Sequence, residues 1–384
     1  MKKTTLATLS LAMLGATGAA HAQSSVTLYG IVDTGITFMH NVANSSGVNQ
    51  GNQVSMSSGN LSGNRFGLKG TEDLGGGLKT IFALENGFNS TNGKLGQGSR
   101  MFGRQAYVGL TGDTWGTVTA GRQYDPLVDL VQPVQGDNWL GGIFSTPGDI
   151  DNADNSARVN NSLKYTSPVW SGFQFEAMYS LGGVAGATGA GQSYAGAASY
   201  SIGQFNVAAG YFHLDNGRTL ASRLAGTGST WDSLFNSSVN NAYQSAAAIN
   251  NARIGGNYTL GPVTMGGYYS YAEYTADGSS TFTRTQKYNT GSVYALWQVS
   301  APLQAEAGYT YMHSVGDSSA KYNQFALAAD YLLSKRTDVY AQAAYVLASG
   351  TNGLGQAQGV IGSVETDSGS NKQALVTVGI RHKF

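Results

Sequence analysis

The sequence predicts an all-β protein, a 16-stranded antiparallel transmembrane β-barrel, and three observations support this prediction. Apolar and polar residues alternate with a period of two along many strand-length segments. Short turns and long polar loops alternate between those segments, as they do in transmembrane barrels. Charged residues make up 11% of the chain, well below the ~25% of an ordinary soluble domain.

The first 22 residues have the organisation of a secretory signal peptide. Lys2 and Lys3 precede a run of apolar and small residues over 6–20, and Ala20-His21-Ala22 forms an A-x-A cleavage site. The run is shorter than the ~20 residues that a membrane-spanning helix needs. We therefore expect residues 1–22 to be removed and residues 23–384 to form one transmembrane barrel domain.

Composition and motifs exclude several classes of function. The chain has 22 basic and 22 acidic residues, so loss of the two signal-peptide lysines leaves a charge of 20 − 22 = −2, which argues against a nucleic-acid partner. Cysteine is absent, and the histidines lack the spacing of metal ligands. No nucleophile elbow or phosphate-binding loop is present. The sequence predicts no cofactor, no metal site, no catalytic residue and hence no enzyme.

The predicted strands are clearest where one face is aromatic or apolar and the other is polar. Residues 173–180, 303–311 and 324–333 show this alternation, and we count 16 such segments in the chain. A barrel of that size keeps a water-filled lumen. The long polar connections between the segments are predicted at 41–60, 90–101, 124–158, 181–192, 214–248, 275–286 and 348–372.

The apolar face favours contact with lipid over burial in a core. Its residues are mostly small or aromatic rather than the bulky aliphatic residues of a packed sandwich, and Tyr and Trp lie near strand ends, where an aromatic girdle would be. A secreted β-sandwich or β-helix is the alternative. An adhesin built on a barrel would need large folded outer loops, and the longest loops here, of about 35 residues, are shorter than a typical domain.

Several stretches resemble the general diffusion porins of Gram-negative bacteria, in particular the β-proteobacterial and neisserial branch. The matching segments are Ser25-Val26-Thr27-Leu28-Tyr29-Gly30, residues 64–79, Arg104-Gln105-Ala106-Tyr107-Val108-Gly109-Leu110, Gly121-Arg122-Gln123-Tyr124, Leu163-Lys164-Tyr165-Thr166-Ser167-Pro168 and the C-terminal Phe384. The resemblance implies a homotrimer in the outer membrane, among lipid and lipopolysaccharide, that passes ions and small hydrophilic solutes by passive diffusion. It also implies a third loop, residues 124–158, folded into the lumen as a constriction, and an assembly signal at Phe384 that the barrel-assembly machinery reads.

The period of two assigns side chains to the lumen. Because the residues that alternate with them are apolar, the pore-lining positions are predicted to be Tyr29, Asp33, Lys69, Lys79, Glu85, Arg381 and Lys383. Arg381 and Lys383 can lie in the lumen or at the rim, since an arginine facing lipid costs ~2–4 kcal/mol at the bilayer midplane.

Charged side chains that face each other across a constriction set the selectivity of such a pore. Arg65, Arg104 and Arg158 match the inward basic cluster of related porins, and Arg122 lies in the strand just before the third loop. The opposing acids are expected from the loop, with Asp125, Asp129, Asp137 and Asp149 as the chosen candidates and Asp151 and Asp154 as the other aspartates considered. The loop lacks the Pro-Glu-Phe-Gly-Gly-Asp motif of enterobacterial porins, and residues 139–144 are expected to replace its glycine turn. A channel biased towards anions or one particular solute is the alternative to a non-specific pore.

Overall fold

The computed structural model describes residues 25–224, 234–364 and 366–384. The predicted signal peptide, residues 1–22, and the predicted cleavage site lie outside the described residues. The described part is built almost entirely from β-strands. These strands are β1 (Ser25–His40), β2 (Gln53–Ser58), β3 (Arg65–Gly75), β4 (Leu78–Gly87), β5 (Gln105–Gly112), β6 (Gly116–Gln123), β7 (Val159–Thr166), β8 (Phe173–Ser180), β9 (Ser193–Ile202), β10 (Phe205–Asp215), β11 (Ala248–Leu260), β12 (Val263–Thr275), β13 (Gln286–Gln298), β14 (Leu303–Val315), β15 (Ala320–Leu332), β16 (Thr337–Gly350) and β17 (Lys372–Lys383).

The strands form one closed antiparallel barrel with 16 positions in its wall. Each strand pairs with its neighbours in sequence, and β17 closes the sheet against β1, from the pair Ile31–Lys383 to the pair His40–Ala374. The strands β2 and β3 occupy a single position, because both pair with β1, β2 along its second half and β3 along its first half. The predicted fold class is therefore confirmed.

The strand β2 lies inside a segment, residues 41–60, that the sequence predicted to be a loop. Its alternation is short, with only Val54 and Met56 pointing outward and exposed, and this explains why the sequence pattern did not identify it. The strand forms because β1 is 16 residues long and its second half would otherwise leave backbone groups unpaired. Between β2 and β3, residues 59–64 leave the wall and turn into the lumen.

Side chains alternate between the two surfaces of the wall. In β17, Val376, Val378 and Ile380 are exposed on the outside, whereas Thr377 and Arg381 are buried on the inside. Buried polar side chains line the inner surface of other strands in the same way. This polar-in, apolar-out alternation is the pattern of a barrel that meets lipid on the outside and encloses water.

The connections at the two ends of the barrel differ in length. One end, the turn rim, carries tight connections such as residues 76–77 and 261–262. The other end, the loop rim, carries the long loops, with the exception of the short seventh connection, residues 316–319. We refer below to the third loop (residues 124–158), the fifth loop (216–247) and the last loop (351–371).

Short helical turns occur in the loops. The short segments are α1 (Gly96–Ser99), α2 (Pro126–Leu130), α3 (Asp137–Leu140) and α4 (Leu220–Leu224), and the 3-10 turns are Gln132–Val134, Gly142–Phe144, Pro147–Asp149 and Asn241–Tyr243. Residues 97–99 and 148–149 have positive φ, so α1 and the turn at Pro147–Asp149 are tight turns rather than regular helix. Among the described residues, no helix is long and apolar enough to cross a membrane.

The third loop folds into the barrel, and its apolar side chains hold it against the inner wall. Leu127, Val131 and Ile150 are fully or almost fully buried in one apolar cluster with strands β8–β13, while Leu140 and Phe144 belong to a second cluster with β13–β17. Burial of a large aliphatic or aromatic side chain stabilises the folded state by roughly 1.5–3 kcal/mol. The loop is thus an inner layer of the wall rather than a mobile surface segment.

The predicted glycine turn lies at the tip of this loop. Gly141 has φ +100°, and a Cβ atom at this position would lie 2.3 Å from the carbonyl oxygen of Asn60 and 2.6 Å from Nε2 of Gln342. Only glycine combines that backbone conformation with so close an approach. Residues 139–144 therefore supply the turn that brings the loop against the wall.

Residues 234–247 of the fifth loop also fold inward, which the sequence did not predict. Leu234, Val239 and Tyr243 are buried in the same cluster as the third loop, next to Tyr274 and Tyr288 on the wall. The hydroxyl of Tyr274 donates to the Ile150 carbonyl at 2.6 Å, and that of Tyr288 donates to the Val239 carbonyl at 2.9 Å. The mouth of the barrel is consequently filled on the side of β11–β16.

Candidate pore constriction

A water-accessible cavity of about 800 Å³ runs between the third loop and the inner wall. It lies beside β1, β2 and the segment that links β2 to β3, on the side of the barrel that the fifth loop does not fill. Its charged lining consists of Arg65, Arg104, Arg158, Asp129, Asp137 and Asp154. The cavity thus brings together five of the eight side chains chosen for a constriction from the sequence, together with Asp154, one of the two other loop aspartates considered.

The basic side of the cavity is organised around one tyrosine, Tyr124. The guanidinium groups of Arg104 and Arg158 lie 5.7 and 5.6 Å from the centre of its ring. Arg104 donates from Nη2 to the Tyr124 hydroxyl at 2.8 Å and from Nε to Glu85 at 2.6 Å, and the Tyr124 hydroxyl donates to the same carboxylate at 2.8 Å. The ring and the carboxylate therefore fix the position of Arg104.

Arg65 and Arg158 keep their charges without an ion-pair partner among the described residues. Arg65 donates from Nε to the Gly63 carbonyl at 2.8 Å, and Arg158 donates from Nη1 to the Ser156 carbonyl at 2.9 Å. Burial and the nearby Arg104 lower the pKa of Arg158 to about 10. Arg158 is still protonated at neutral pH, so two unneutralised positive charges border the cavity.

The acidic side of the cavity carries less net negative charge than three ionised, unpaired carboxylates would carry. Asp129 forms an ion pair with Lys164 of β7, so its charge is neutralised locally. Burial raises the pKa of Asp137, and the neighbouring Asp154 raises it further; burial also raises the pKa of Asp154. The Ser363 hydroxyl donates to Asp154, and Nε2 of Gln132 donates to Asp137 at 2.8 Å.

Three predicted constriction residues lie outside the cavity lining. Arg122 donates to the Gly103 carbonyl at 2.8 Å and to the Asn160 side chain at 2.5 Å. Asp125 caps helix α2 by accepting from the backbone nitrogens of Leu127 and Val128.

The third of these residues, Asp149, accepts from the backbone nitrogens of Asp154 and Ser156 at 2.9 and 3.2 Å. Like Asp125, it therefore organises the backbone of the third loop.

The predicted pore-lining residues of the first four strands fall into two groups. Tyr29 donates to Glu85 at 2.8 Å, and the Lys69 ammonium lies 5.2 Å from the centre of the Tyr29 ring, so these three form one inner cluster. Lys79 lies near the turn rim in β4, opposite Asp73 of β3.

Asp33 is fully buried and holds the segment between β2 and β3 in place. It accepts from the backbone nitrogens of Leu61 and Ser62 at 2.7 and 2.9 Å and from the Tyr340 hydroxyl at 2.5 Å. Its role in the structure is therefore to support residues 59–64, the segment that precedes Arg65.

The C-terminal residues close the barrel. Arg381 is buried against Asp338 at 3.1 Å and Asp330 at 3.6 Å, whereas Lys383 is exposed. The backbone nitrogen and carbonyl of Phe384 each hydrogen-bond to Gly30 at 3.0 Å.

Comparison with known proteins identifies the family. A family model described as "Gram-negative porin" matches residues 7–351. An outer membrane porin protein of Bordetella pertussis is 31% identical and outer membrane porin protein 32 of Delftia acidovorans is 30% identical, each match covering 100% of both chains. Among solved structures, the anion-selective porin from Comamonas acidovorans aligns with a TM-score of 0.71 at 24% identity, over 94% of this chain and 100% of that one.

More distant matches are consistent with the same family. A major outer membrane protein P.IB of Neisseria lactamica is 27% identical over 100% of both chains. The trimer form of OmpT from Vibrio cholerae aligns with a TM-score of 0.65 at 17% identity, over 94% of this chain and 99% of that one. With the closed barrel and the water-accessible cavity in its lumen, these matches show that the chain belongs to the Gram-negative porin family and forms a diffusion channel in the outer membrane.

Proposed function

We propose that this porin passes small hydrophilic solutes without tight binding and prefers anions, and that Arg65, Arg104 and Arg158 form its selective constriction. The observation that carries the proposal is the imbalance of charge around the cavity. Two of the three arginines have no ion-pair partner among the described residues, whereas Asp129 is paired and burial favours the neutral forms of Asp137 and Asp154. Anion selectivity in the name of a structural relative is consistent with this imbalance.

Reversal potentials in a potassium chloride gradient across a planar bilayer test the proposal. A unit charge ~8 Å from an ion in water changes the energy of the ion by about 0.5 kcal/mol, or roughly twofold in permeability. We therefore expect Arg65→Gln and Arg158→Gln each to lower the chloride-to-potassium permeability ratio by about fivefold, because chloride loses and potassium gains roughly twofold in permeability. Arg336→Gln is the matched control, because Arg336 is exposed at the turn rim and its loss should leave the ratio unchanged.

A wild-type channel that favours potassium would contradict the anion preference. A ratio that shifts equally in the control would place the selective charge elsewhere in the protein. A ratio near one that none of the three variants changes would favour a non-specific pore.

We also propose that the chain assembles as a homotrimer through the outer surface of β17, β1, β2 and β3. This surface carries exposed bulky apolar side chains, which are Leu28, Ile36, Phe38, Val54, Met56, Leu68, Val376 and Val378. Among the described residues, none of its outward positions carries Tyr or Trp, whereas exposed Tyr and Trp side chains lie on β8–β16. A surface without an aromatic girdle is suited to a protein neighbour rather than to lipid headgroups.

The oligomeric state of the protein in detergent, measured by light scattering, tests the trimer. Ile36→Asn should shift the population towards monomers, because the asparagine would be buried without partners in the interface. Leu327→Asn, on the outward face of β15 and 60% exposed, is the matched control and should remain trimeric. A wild-type protein that is monomeric in mild detergent would contradict the proposal.

A further inference from the structure

A row of buried hydrogen-bond donors lies behind the third loop, away from the pore constriction. Arg253 of β11 is directly opposite Ser270 of β12, which is directly opposite Thr290 of β13. Directly opposed residues on one face have Cβ atoms roughly 5 Å apart, so the three side chains are neighbours on the inner wall. Gln135 of the third loop contacts Arg253, and all four side chains are at most 2% exposed.

Most donors in this row have no acceptor. Arg253 donates from Nη1 to Oε1 of Gln135 at 3.1 Å. Its Nε and Nη2, the Gln135 Nε2 and the hydroxyls of Ser270 and Thr290 have no hydrogen-bond partner among the described residues. No carboxylate of the described residues forms an ion pair with Arg253.

The nearest acidic groups do not hydrogen-bond to the donors of this row. Asp125 accepts from the N-terminus of helix α2 and from the Asn152 side chain. Asp137 accepts from Gln132, and its second oxygen also has no partner. Two further acceptors are left without a partner: the side-chain oxygen of Asn251, on the same strand as Arg253, and Oε1 of Glu306, which lies beside Gly136 of the third loop.

A buried guanidinium with two free donors destabilises the folded state unless an acceptor hydrogen-bonds to those donors. An unpaired buried polar group lowers the stability of the fold by several kcal/mol, and a charged group lowers it further. The Nε and Nη2 groups point in parallel, which is the fork that arginine uses to bind anions. We propose that Arg253, Ser270, Thr290 and Gln135 form a binding site for one small monovalent anion of halide size. The near-complete burial of all four side chains favours a single-atom anion over a larger polyatomic one such as phosphate.

The site would hold the rear of the third loop to β11–β13. Gln135 belongs to the loop and the other three residues belong to the wall, so an anion that accepts from both joins them. None of the four residues lines the 800 Å³ cavity. The site therefore does not depend on the proposed anion preference of the constriction, and either proposal can fail alone.

Crystals grown in sodium bromide test the site directly, because bromide gives an anomalous signal and water does not. We expect an anomalous peak within hydrogen-bond distance of Arg253 Nε and Nη2. The double variant Ser270→Ala/Thr290→Val should abolish that peak while the barrel remains folded. Density without anomalous signal at Arg253 in the wild type would assign the position to water and overturn the proposal.

A second measurement detects the anion in solution. A ligand that binds only the folded state raises its melting temperature, so the wild type should melt at a higher temperature in sodium chloride than in sodium gluconate at equal ionic strength. The double variant should lose this difference. Ser292→Ala is the matched control, because Ser292 also faces the lumen from β13 but already hydrogen-bonds to Thr310 at 3.0 Å, and it should keep the difference. Equal melting temperatures of the wild type in the two salts would contradict the proposal.

Discussion

Tyr124 lies between two guanidinium groups, and this position determines how the constriction is arranged. A cation near the face of an aromatic ring gains about 0.5–2 kcal/mol, and the two contacts at 5.6 and 5.7 Å hold like charges close together. The sequence identified the arginines from their alternation and from family resemblance. It gave no signal for Tyr124, because a tyrosine at the end of a strand is equally typical of a girdle.

Asp149 predicts a pH dependence of stability. Burial and the charges of Asp154 and Asp151 raise its pKa from 3.8 to about 8. Between these values the folded protein holds a proton that the unfolded chain has lost, so stability falls as pH rises through this window and levels off above it. For one proton, the free energy of unfolding falls by at most about 1.4 kcal/mol per pH unit.

The measurement is the midpoint of heat-induced unfolding in detergent from about pH 5 to about pH 9. Asp149→Asn should flatten the decline of the wild type, and asparagine tolerates the φ of +46° at this position. Asp113→Asn, at the exposed turn between β5 and β6, is the control and should keep the decline. A wild-type midpoint that rises from pH 5 to pH 8 would contradict the assigned direction of the pKa.

One glutamine of the wall, Gln324, makes two hydrogen bonds to the third loop. Nε2 of Gln324 donates to the carbonyls of Ile143 and Ser145 at 2.9 Å each, and its Oε1 accepts from the Gly362 nitrogen at 2.7 Å. The same side chain thus joins β15, the third loop and the last loop. Such a junction is expected to keep the constriction fixed on the time scale of ion passage.

Gln324→Ala should loosen this junction. It leaves three buried backbone groups without a partner, each worth about 1–3 kcal/mol, so we expect a lower unfolding temperature and a noisier open-channel current. The matched control is Gln304→Ala, since Gln304 hydrogen-bonds to Gln298 near the turn rim, away from the loop. Equal current noise in the two variants and the wild type would show that the loop does not depend on Gln324.

Apart from the short strand β2, the elements of the wall could be predicted from sequence, but the packing of the fifth loop could not. The wall follows from the period of two, because each strand must alternate between lipid and water. Leu234, Val239 and Tyr243 have no regular spacing, and the partners that bury them come from distant strands. In the same way, Asp125 and Asp149 could be assigned to the loop but not to its backbone contacts, which depend on short helical turns with no periodic pattern.

At the scale of the whole molecule, closure of the barrel depends on the C-terminus. Phe384 exchanges two backbone hydrogen bonds with Gly30, and a Cβ atom on Gly30 would lie 2.3 Å from the Phe384 ring. The ring packs over Gly30 so closely that a larger residue at position 30 would displace it. We therefore propose that Phe384 serves both the closing contact and the assembly signal suggested by family resemblance.

Phe384→Ser should reduce the amount of folded barrel in the outer membrane several-fold, measured as the heat-modifiable band on an unheated gel. Refolding of the same variant from denaturant into detergent separates the two roles, because no assembly machinery is present there. Normal refolding with poor assembly in cells would assign Phe384 to the signal, and poor refolding would assign it to the closing contact. Normal yield in cells would contradict both roles.

Because the barrel closes where β17 pairs with β1, the sheet cannot close until the last strand of the chain is in place. Every partly exported form has two open sheet edges, and such edges readily pair with other chains. We therefore expect that the polypeptide must be kept from pairing with other chains until β17 reaches β1, since its charge is low and many of its apolar side chains are exposed on the outer surface.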